Sequence, residues 1–323
     1  MMKRIKTLLH IVSAAVLFLN ISQSLLAQGS SRNALRTVII DPGHGGIDPG
    51  ARGLFSTEAE VALQISMKLG KALEKEYPHI KFIYTRTSDA LPGGATNVRQ
   101  GLVNRANMAN EAKGDLFISI HLNAAGQKAG GWYAKRIVGY KPKVVYTGSG
   151  KRRRKKTIQQ PIYESYYVKN ERVGTETYIW AADRSDDKSE FINMDEGGEA
   201  EIADSTNVLD LNSPEARIRA QLYTKFFFRN SALLASYVED EFKTAGRKSY
   251  GVKQRNNKGI WVLQATGMPS ILIETGFISN KEEEEYLNSE AGQEEVVNNI
   301  MAAFRRYKQE IENPRVTSRP AGK

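Results

Sequence analysis

Short apolar runs bounded by turn-forming residues recur along the chain: "TVII" from Thr37, "IKFIYT" from Ile80, "DLFISIHL" from Asp115, "TETYIW" from Thr175, "IWVLQ" from Ile260 and "SILIE" from Ser270. Their length and β-branched content predict strands. Helical periodicity lies between some of them. The best marked helix opens at Thr57, an N-cap with Glu60 three residues on, the pairing of a capping box. Ala62, Ile65 and Leu69 fall within about 40° of Glu58 at 100° per residue. Glu60 points away with Gln64 and Lys68. Glu58 therefore begins the apolar face, where a carboxylate needs a partner. Ser213-Pro214 predicts the start of a long helix reaching about Phe242, and "GQEEVVNNIMAAFRRYKQEI" a closing one. Strands alternating with helices predict an α/β domain with a mainly parallel sheet. No internal repeat is present.

Two stretches break this alternation and read as insertions, about 124–172 and 183–213. The first holds "KPKVVYTGSGKRRRKK", eight basic residues and no acidic one between Lys141 and Lys156. A solvated, mobile loop is the plain expectation for such a run; in an exported protein its partners would be anionic glycan, lipid or wall polymer. The second is strongly acidic. The chain opens with Lys3, Arg4 and Lys6, then a mostly apolar stretch from Leu8 to Leu26 broken by polar residues, then Ala27. That is the pattern of a secretory signal peptide over 1–27; the other reading is an uncleaved membrane anchor, opposed by the polar residues that leave the apolar core short of a spanning length. Export is compatible with a chain that contains no cysteine, which also excludes disulfides and thiolate metal ligands. The formal charge of +10 drops by the three leader cations on cleavage. A tail over 313–323 is expected to be disordered.

The chemistry concentrates at strand ends. His44 stands in "VIIDPGHGGIDPG", where a buried strand is stopped by Pro42, Gly43, Gly45 and Gly46. His121 ends "DLFISIHL", and Glu274 ends "SILIE". In open α/β sheets, sites form beyond the carboxyl ends of the strands. Two histidines and a carboxylate thus converge on one edge, and Glu58 reaches it too. Two histidines and one carboxylate form the ligand set of many catalytic zinc sites, and a second carboxylate can take the proton of water there. A single histidine of this kind is more often structural, so the reading rests on the group.

"IIDPGHGGIDPGARG", the Glu58 helix, "TRTSD", "NRANMAN", "FISIHLNA" and "PSILIETGFISN" occur in this order. Together they resemble the zinc-dependent N-acetylmuramoyl-L-alanine amidases of bacterial cell walls, over most of residues 36–312 outside the two insertions. The resemblance implies one α/β domain with a mixed, mainly parallel sheet flanked by helices. It implies zinc held by His44, Glu58 and His121, with Glu274 as the catalytic glutamate. The family usually has Lys after the ligand glutamate; here Ala59 stands there, and Glu60 offers a second register. The helix face and the following "VALQI" favour Glu58. Arg86 and Arg105 match recurring family arginines, as substrate contacts or, for Arg86, in an ion pair with Asp89. Asn123 or a backbone N–H near Gly276 would help hold an oxyanion.

The implied reaction is hydrolysis of the amide between the lactyl group of N-acetylmuramic acid and L-alanine in peptidoglycan, in the periplasm, for wall remodelling or cell separation. Some relatives carry an inhibitory insert displaced by an activator protein, and 183–213 stands where such a lid would be. An acidic loop that only keeps the surface soluble is the other reading. A zinc peptidase acting on stem peptides would use the same ligands, and a non-catalytic wall-binding protein would keep only the scaffold. The presence of all four site residues opposes the latter. A nucleic-acid partner is opposed by the leader and by the lack of interleaved aromatics in the basic run. Membrane contact is expected only through the leader before cleavage.

Overall fold

The computed structural model describes residues 34–180, 192–194, 200–202, 214–255 and 260–313. The segment 1–27 expected to be a signal peptide, most of the acidic insertion and the tail beyond residue 313 lie outside them. The elements are β1 (Thr37–Pro42), α1 (Glu58–Glu76), β2 (Lys81–Tyr84), α2 (Val98–Glu111), β3 (Leu116–Asn123), β4 (Gly131–Thr147), β5 (Arg154–Lys169), β6 (Thr175–Ile179), β7 (Ile192–Met194), β8 (Ala200–Ile202), α3 (Pro214–Thr244), β9 (Ser249–Gln254), α4 (Trp261–Ala265), β10 (Ser270–Phe277), α5 (Lys281–Asn288) and α6 (Glu290–Glu312). Two units are distinguished. The main one is Arg36–Phe304; of the terminal one, residues 34–35 and 305–313 are described, joined by Leu35 N–H donating to Glu312 Oε1 at 3.3 Å.

The main unit is built on a six-stranded sheet in the order β2-β1-β3-β10-β6-β9. β2, β1, β3 and β10 are parallel; β6 runs antiparallel to β10, and β9 parallel to β6. The sheet is therefore mixed and mainly parallel, as expected of the α/β class. Its central strands are buried on both faces, which is why they read as continuous apolar runs rather than alternating ones. One face carries Ile39, Phe117 and Leu272, packed with Ala109 of α2, Trp180, and Val262 and Leu263 of α4. α1 lies along β1 and β3 and buries Ala62, Ile65, Leu69 and Leu73 completely. Thr57 caps α1 as its sequence predicts: its side chain accepts from Glu60 N–H, and the Glu60 side chain accepts from Thr57 N–H.

Three elements differ from the sequence pattern. "IWVLQ" is not a strand but the short helix α4, with Val262 to Ala265 buried and Trp261 exposed. A short run that is apolar throughout has no periodicity to distinguish strand from helix. Here Asn110 decides the outcome: its Nδ2 donates to Ala265 O at 2.9 Å and its Oδ1 accepts from Gly267 N–H at 2.9 Å, which satisfies the helix end. Secondly, the basic run is not a loop. It forms the outer half of a two-stranded hairpin, β4–β5, paired from Gly131/Lys169 to Thr147/Arg154 with one register shift between Ile137 and Gly139. Thirdly, β9, "SYGVKQ", adds an edge strand that its polar sequence does not announce.

Along the first face the sheet changes character toward the carboxyl ends of its parallel strands. Ile39 and Phe117 are followed by Asp41 and Ser119, then by His121 and Glu274. Asp41 is buried and accepts from Ser119 Oγ at 2.6 Å and Thr85 Oγ1 at 2.5 Å, with Arg105 paired against it. Burial alone would raise its pKa, but the Arg105 charge and the two hydroxyls hold it below the usual carboxylate value. This polar layer separates the apolar core from the edge that carries His121 and Glu274.

Candidate metal centre and active site

The sequence places His44 directly after β1, in a turn closed by Gly45 N–H donating to Asp48 O and Asp48 N–H donating to Gly45 O. His44 has φ +58°, left-handed for a non-glycine residue. Such a conformation persists only where its surroundings enforce it. Here Arg105 donates to His44 O and Pro42 O, while Arg86 donates to Pro42 O at 3.0 Å and Gly43 O at 2.6 Å. Gly43 leaves room for the facing ring: a Cβ there would lie 2.4 Å from His121 Cε1. The backbone is thus forced into position so that the two imidazoles meet, with centroids 4.8 Å apart.

Glu58 enters from α1. Its Oε1 lies 3.0 Å from His44 Nε2 and 2.8 Å from His121 Nδ1, and accepts from Leu122 N–H at 3.2 Å. Its Oε2 accepts from Ala51 N–H at 2.8 Å. His44, Glu58 and His121 offer one ligand atom each within 4.8 Å of one another, a group able to hold a metal ion. Glu60 is exposed and stays on the cap. All three donor atoms carry lone pairs, so their convergence requires protons or a cation between them, and a donor set of two imidazoles and one carboxylate suits a divalent ion. Without metal, burial works against the charge on His44, but the bonds and charges of Glu58 and Asp48 prevail and raise it to about 9. For Glu58 burial is likewise outweighed, by His121 and then His44, and its pKa is held well below the carboxylate range.

Glu274 pairs in register with His121 on β3 and with Glu176 on β6, so all three side chains leave the same face of the sheet. It is 8% exposed, and its Oε2 has no hydrogen-bond partner. Burial first, then the negative charges of Glu58 and Glu176, push its pKa up to about 8. A cavity of about 50 Å³ opens beside His44 and His121, walled by Leu91, Val98, Leu102 and Val262 with Asp48 and Arg105.

The other expected residues are placed less simply. Arg86 and Arg105 are 5% and 4% exposed, with their guanidinium groups on the backbone carbonyls of the His44 turn. Asp89 accepts instead from Gly46 N–H at 2.7 Å. Asn123 donates to Glu176 Oε1 and accepts from Ala124 N–H at 2.9 Å. Three contributors escaped the sequence reading. Asp48 Oδ2 lies 2.8 Å from His44 Nδ1 and fixes which ring nitrogen faces Glu58; its spacing four residues after a turn histidine was the available signal. Glu176 borders Glu274 and is held by Asn123 and by Tyr178 OH at 2.9 Å. Glu284, fully buried, accepts from the N–H groups of Leu54, Phe55 and Ser56 and fixes the loop before Glu58. It lies more than two hundred residues from that loop in sequence and gave no signal.

Both upward shifts make the metal-free protein less stable as pH rises. The contribution of His44 is complete below its unfolded value of 6.5 and is lost as pH climbs through about 9. Glu274 also binds its proton more tightly when folded, so its contribution is complete below 4.5 and lost through about 8. Between pH 6.5 and 8 the slopes coincide. Chelated protein should therefore melt at progressively lower temperature across that window, by roughly 2–4 °C per kcal/mol lost, and Glu274→Gln should flatten the slope. A melting temperature that rises with pH would contradict the arrangement. Asp48→Ala should weaken divalent-metal binding about 10–100-fold by freeing the His44 ring, read by competition with a chelating dye; unchanged affinity would remove Asp48 from the centre.

A family model described as N-acetylmuramoyl-L-alanine amidase matches residues 38–306. The N-acetylmuramoyl-L-alanine amidase AmiC of Escherichia coli is 28% identical over 278 residues, 84% of this chain and 52% of that protein. The probable N-acetylmuramoyl-L-alanine amidase AmiB of Haemophilus influenzae is 27% identical, covering 79% of this chain and 48% of that one. The chain thus spans about half the length of these relatives. Among solved structures, the CwlD amidase of Clostridioides difficile, determined with the GerS lipoprotein, superposes with a TM-score of 0.51 at 22% identity over 84% of this chain and 98% of that one, a likeness of fold. The family match runs from β1 into the last helix and takes in every residue of the centre, and the chain belongs to the N-acetylmuramoyl-L-alanine amidase family.

Proposed function

We propose that the protein is a periplasmic zinc amidase that hydrolyses the bond between the lactyl group of N-acetylmuramic acid and L-alanine in peptidoglycan, for wall remodelling or cell separation. The observation that carries this reading is Glu274, buried with one free oxygen and in register beside His121 of the His/Glu/His group. His44, Glu58 and His121 would hold the zinc, which when bound acidifies water and polarises a carbonyl. The remaining chemistry belongs to the chain. Glu274 takes the proton of the attacking water and delivers it to the departing amine of L-alanine. A proton affinity raised toward neutrality suits both halves of that transfer. Asp48 fixes the His44 ring, while Arg86 and Arg105 hold the turn on which it sits. The family descriptions of the relatives support the substrate class, and the apolar opening of the leader supports export.

Zinc-loaded protein incubated with purified sacculi should release whole peptides beginning with L-alanine. New end groups within the stem peptide would instead favour a peptidase. His121→Ala should lose the metal. Glu274→Gln keeps the shape but cannot accept the proton; it should keep the metal and lose at least about 10²-fold in turnover. A fully active Glu274→Gln protein refutes the assignment.

An activator protein belongs to the same proposal. The acidic stretch 183–213 would restrain the centre by presenting a carboxylate to it, and the activator would displace it. Exchanging Asp183 to Asp210 for a Gly-Ser linker should raise activity on sacculi without any activator. Unchanged or lower activity in a folded, metal-loaded protein excludes the lid.

A further inference from the structure

The hairpin β4–β5 takes no part in the centre described above, and it is two-faced. Cross-strand partners share a face and successive residues alternate, with one extra residue at Val138 that shifts the alternation on β4, so the register sorts its side chains. One face carries Tyr133 with Tyr167, then Ile137 with Tyr163, then Tyr140 and Tyr146. The rings of Tyr133 and Tyr167 meet edge-on at 5.5 Å. Tyr133 is 75% exposed and Tyr140 61%, far beyond what ordinary packing leaves open. The opposite face carries Arg136, Lys141, Lys143, Lys156 and Arg154, with Arg136 lying over the Tyr166 ring at 5.6 Å, while Lys135 and Lys155 stand on the tyrosine face. At the outer end, Lys151 to Lys156 are six consecutive cations. Between Gly131 and Lys169 the only acidic residue is Glu164, which is paired with Arg136 at 2.6 Å. Contiguous exposed aromatics on a ribbon of one charge sign mark an interaction surface.

We propose that β4–β5 is a binding arm for the peptidoglycan network itself, with tyrosines against the apolar faces of its sugar rings and cations against the carboxylates of its stem peptides. This rests on the wall-polymer reading above. Three observations select this occupant. Its carboxylates complement an arm with almost no acidic residue of its own. Cations lie on both faces and around the tip; a planar bilayer meets one face only, and an arm lying on its tyrosines would turn Arg136, Lys141 and Lys143 away from the lipid. A mesh of polymer meets both faces. Lastly, both strands are rooted at the catalytic edge. β3 ends at Asn123, Gly130 N–H donates to Ser279 O at 2.9 Å, and Asn170 Nδ2 donates to Ala125 O at 2.6 Å. Asn280 Nδ2 in turn donates to Asn170 O at 2.8 Å. A polymer held along the arm, which at about 3.4 Å per residue extends about 55 Å, is held at the edge that bears Glu274.

The test is co-sedimentation with purified sacculi, using the full chain with Glu274→Gln so that the polymer is not consumed. Two variants are added to that background: Lys151→Gln, Arg152→Gln, Arg153→Gln, Arg154→Gln, Lys155→Gln and Lys156→Gln together, and Tyr133→Ser, Tyr140→Ser and Tyr163→Ser together. Each should weaken retention by about 10-fold or more, with the unfolding temperature of the main domain unchanged. The charge variant should also lose the salt sensitivity of binding, and the tyrosine variant should keep it. Undiminished retention of both variants overturns the proposal. So does a parent chain that binds phosphatidylglycerol vesicles as tightly as sacculi, which makes the arm a membrane element. Sedimentation reads binding alone, so failure of the amidase reading is seen separately, in the end groups released by the unsubstituted protein.

Discussion

The carboxylate of Glu58 is the point on which the edge bearing His44 and His121 depends. Its Oε1 meets both imidazoles, and its Oε2 takes the N–H of Ala51. Four segments therefore stop at one group: the turn after β1, the loop before α1, the start of α1 and the end of β3. A buried carboxylate is costly unless every lone pair is matched. The fold matches them with donors that only a correctly closed edge supplies. Gly50, with φ +63°, shows how closely the parts fit: a Cβ there would stand 2.6 Å from Glu58 Oε2.

Around that group the charges are layered. Arg105 and Arg86 donate to carbonyls of the His44 turn, Asp48 lies behind His44, and Glu284 binds three N–H groups ahead of Glu58. Carboxylates hold backbone donors, and guanidinium groups hold backbone acceptors. The loops that carry His44 and lead to Glu58 are thus built from irregular backbone whose polar groups are satisfied by buried ions rather than by secondary structure.

Much of this was legible in the chain. The four residues of the centre stand at strand or helix ends, and apolar runs announce those ends. Glu58 could be separated from Glu60 because helical periodicity gives the two carboxylates different directions. Arg86 and Arg105 were visible as residues, but their work on backbone carbonyls depends on a turn geometry that sequence does not specify. The short apolar run at Trp261 carried no period, and the buried side chain of Asn110, more than a hundred residues away, made it a helix. The aromatic face of β4–β5 was hidden for a different reason. Its tyrosines are scattered over two strands and come into line only when Tyr133 is laid beside Tyr167 and Ile137 beside Tyr163.

β6 is antiparallel to β10, the only strand pair of the six-stranded sheet that is. Its first residues, Thr175 and Glu176, therefore lie at the edge of Glu274, and its last, Ile179, lies at the opposite one beside Ile271. One reversed strand gives the chain two ports of opposite polarity. Sequence inserted ahead of β6 emerges among the site loops, as the hairpin does. β6 itself ends at the far margin of the sheet, where Ile179 lies beside Ile271. Additions at the two ports therefore start a strand's length apart, and only the one ahead of β6 reaches the site loops without first running back along the sheet.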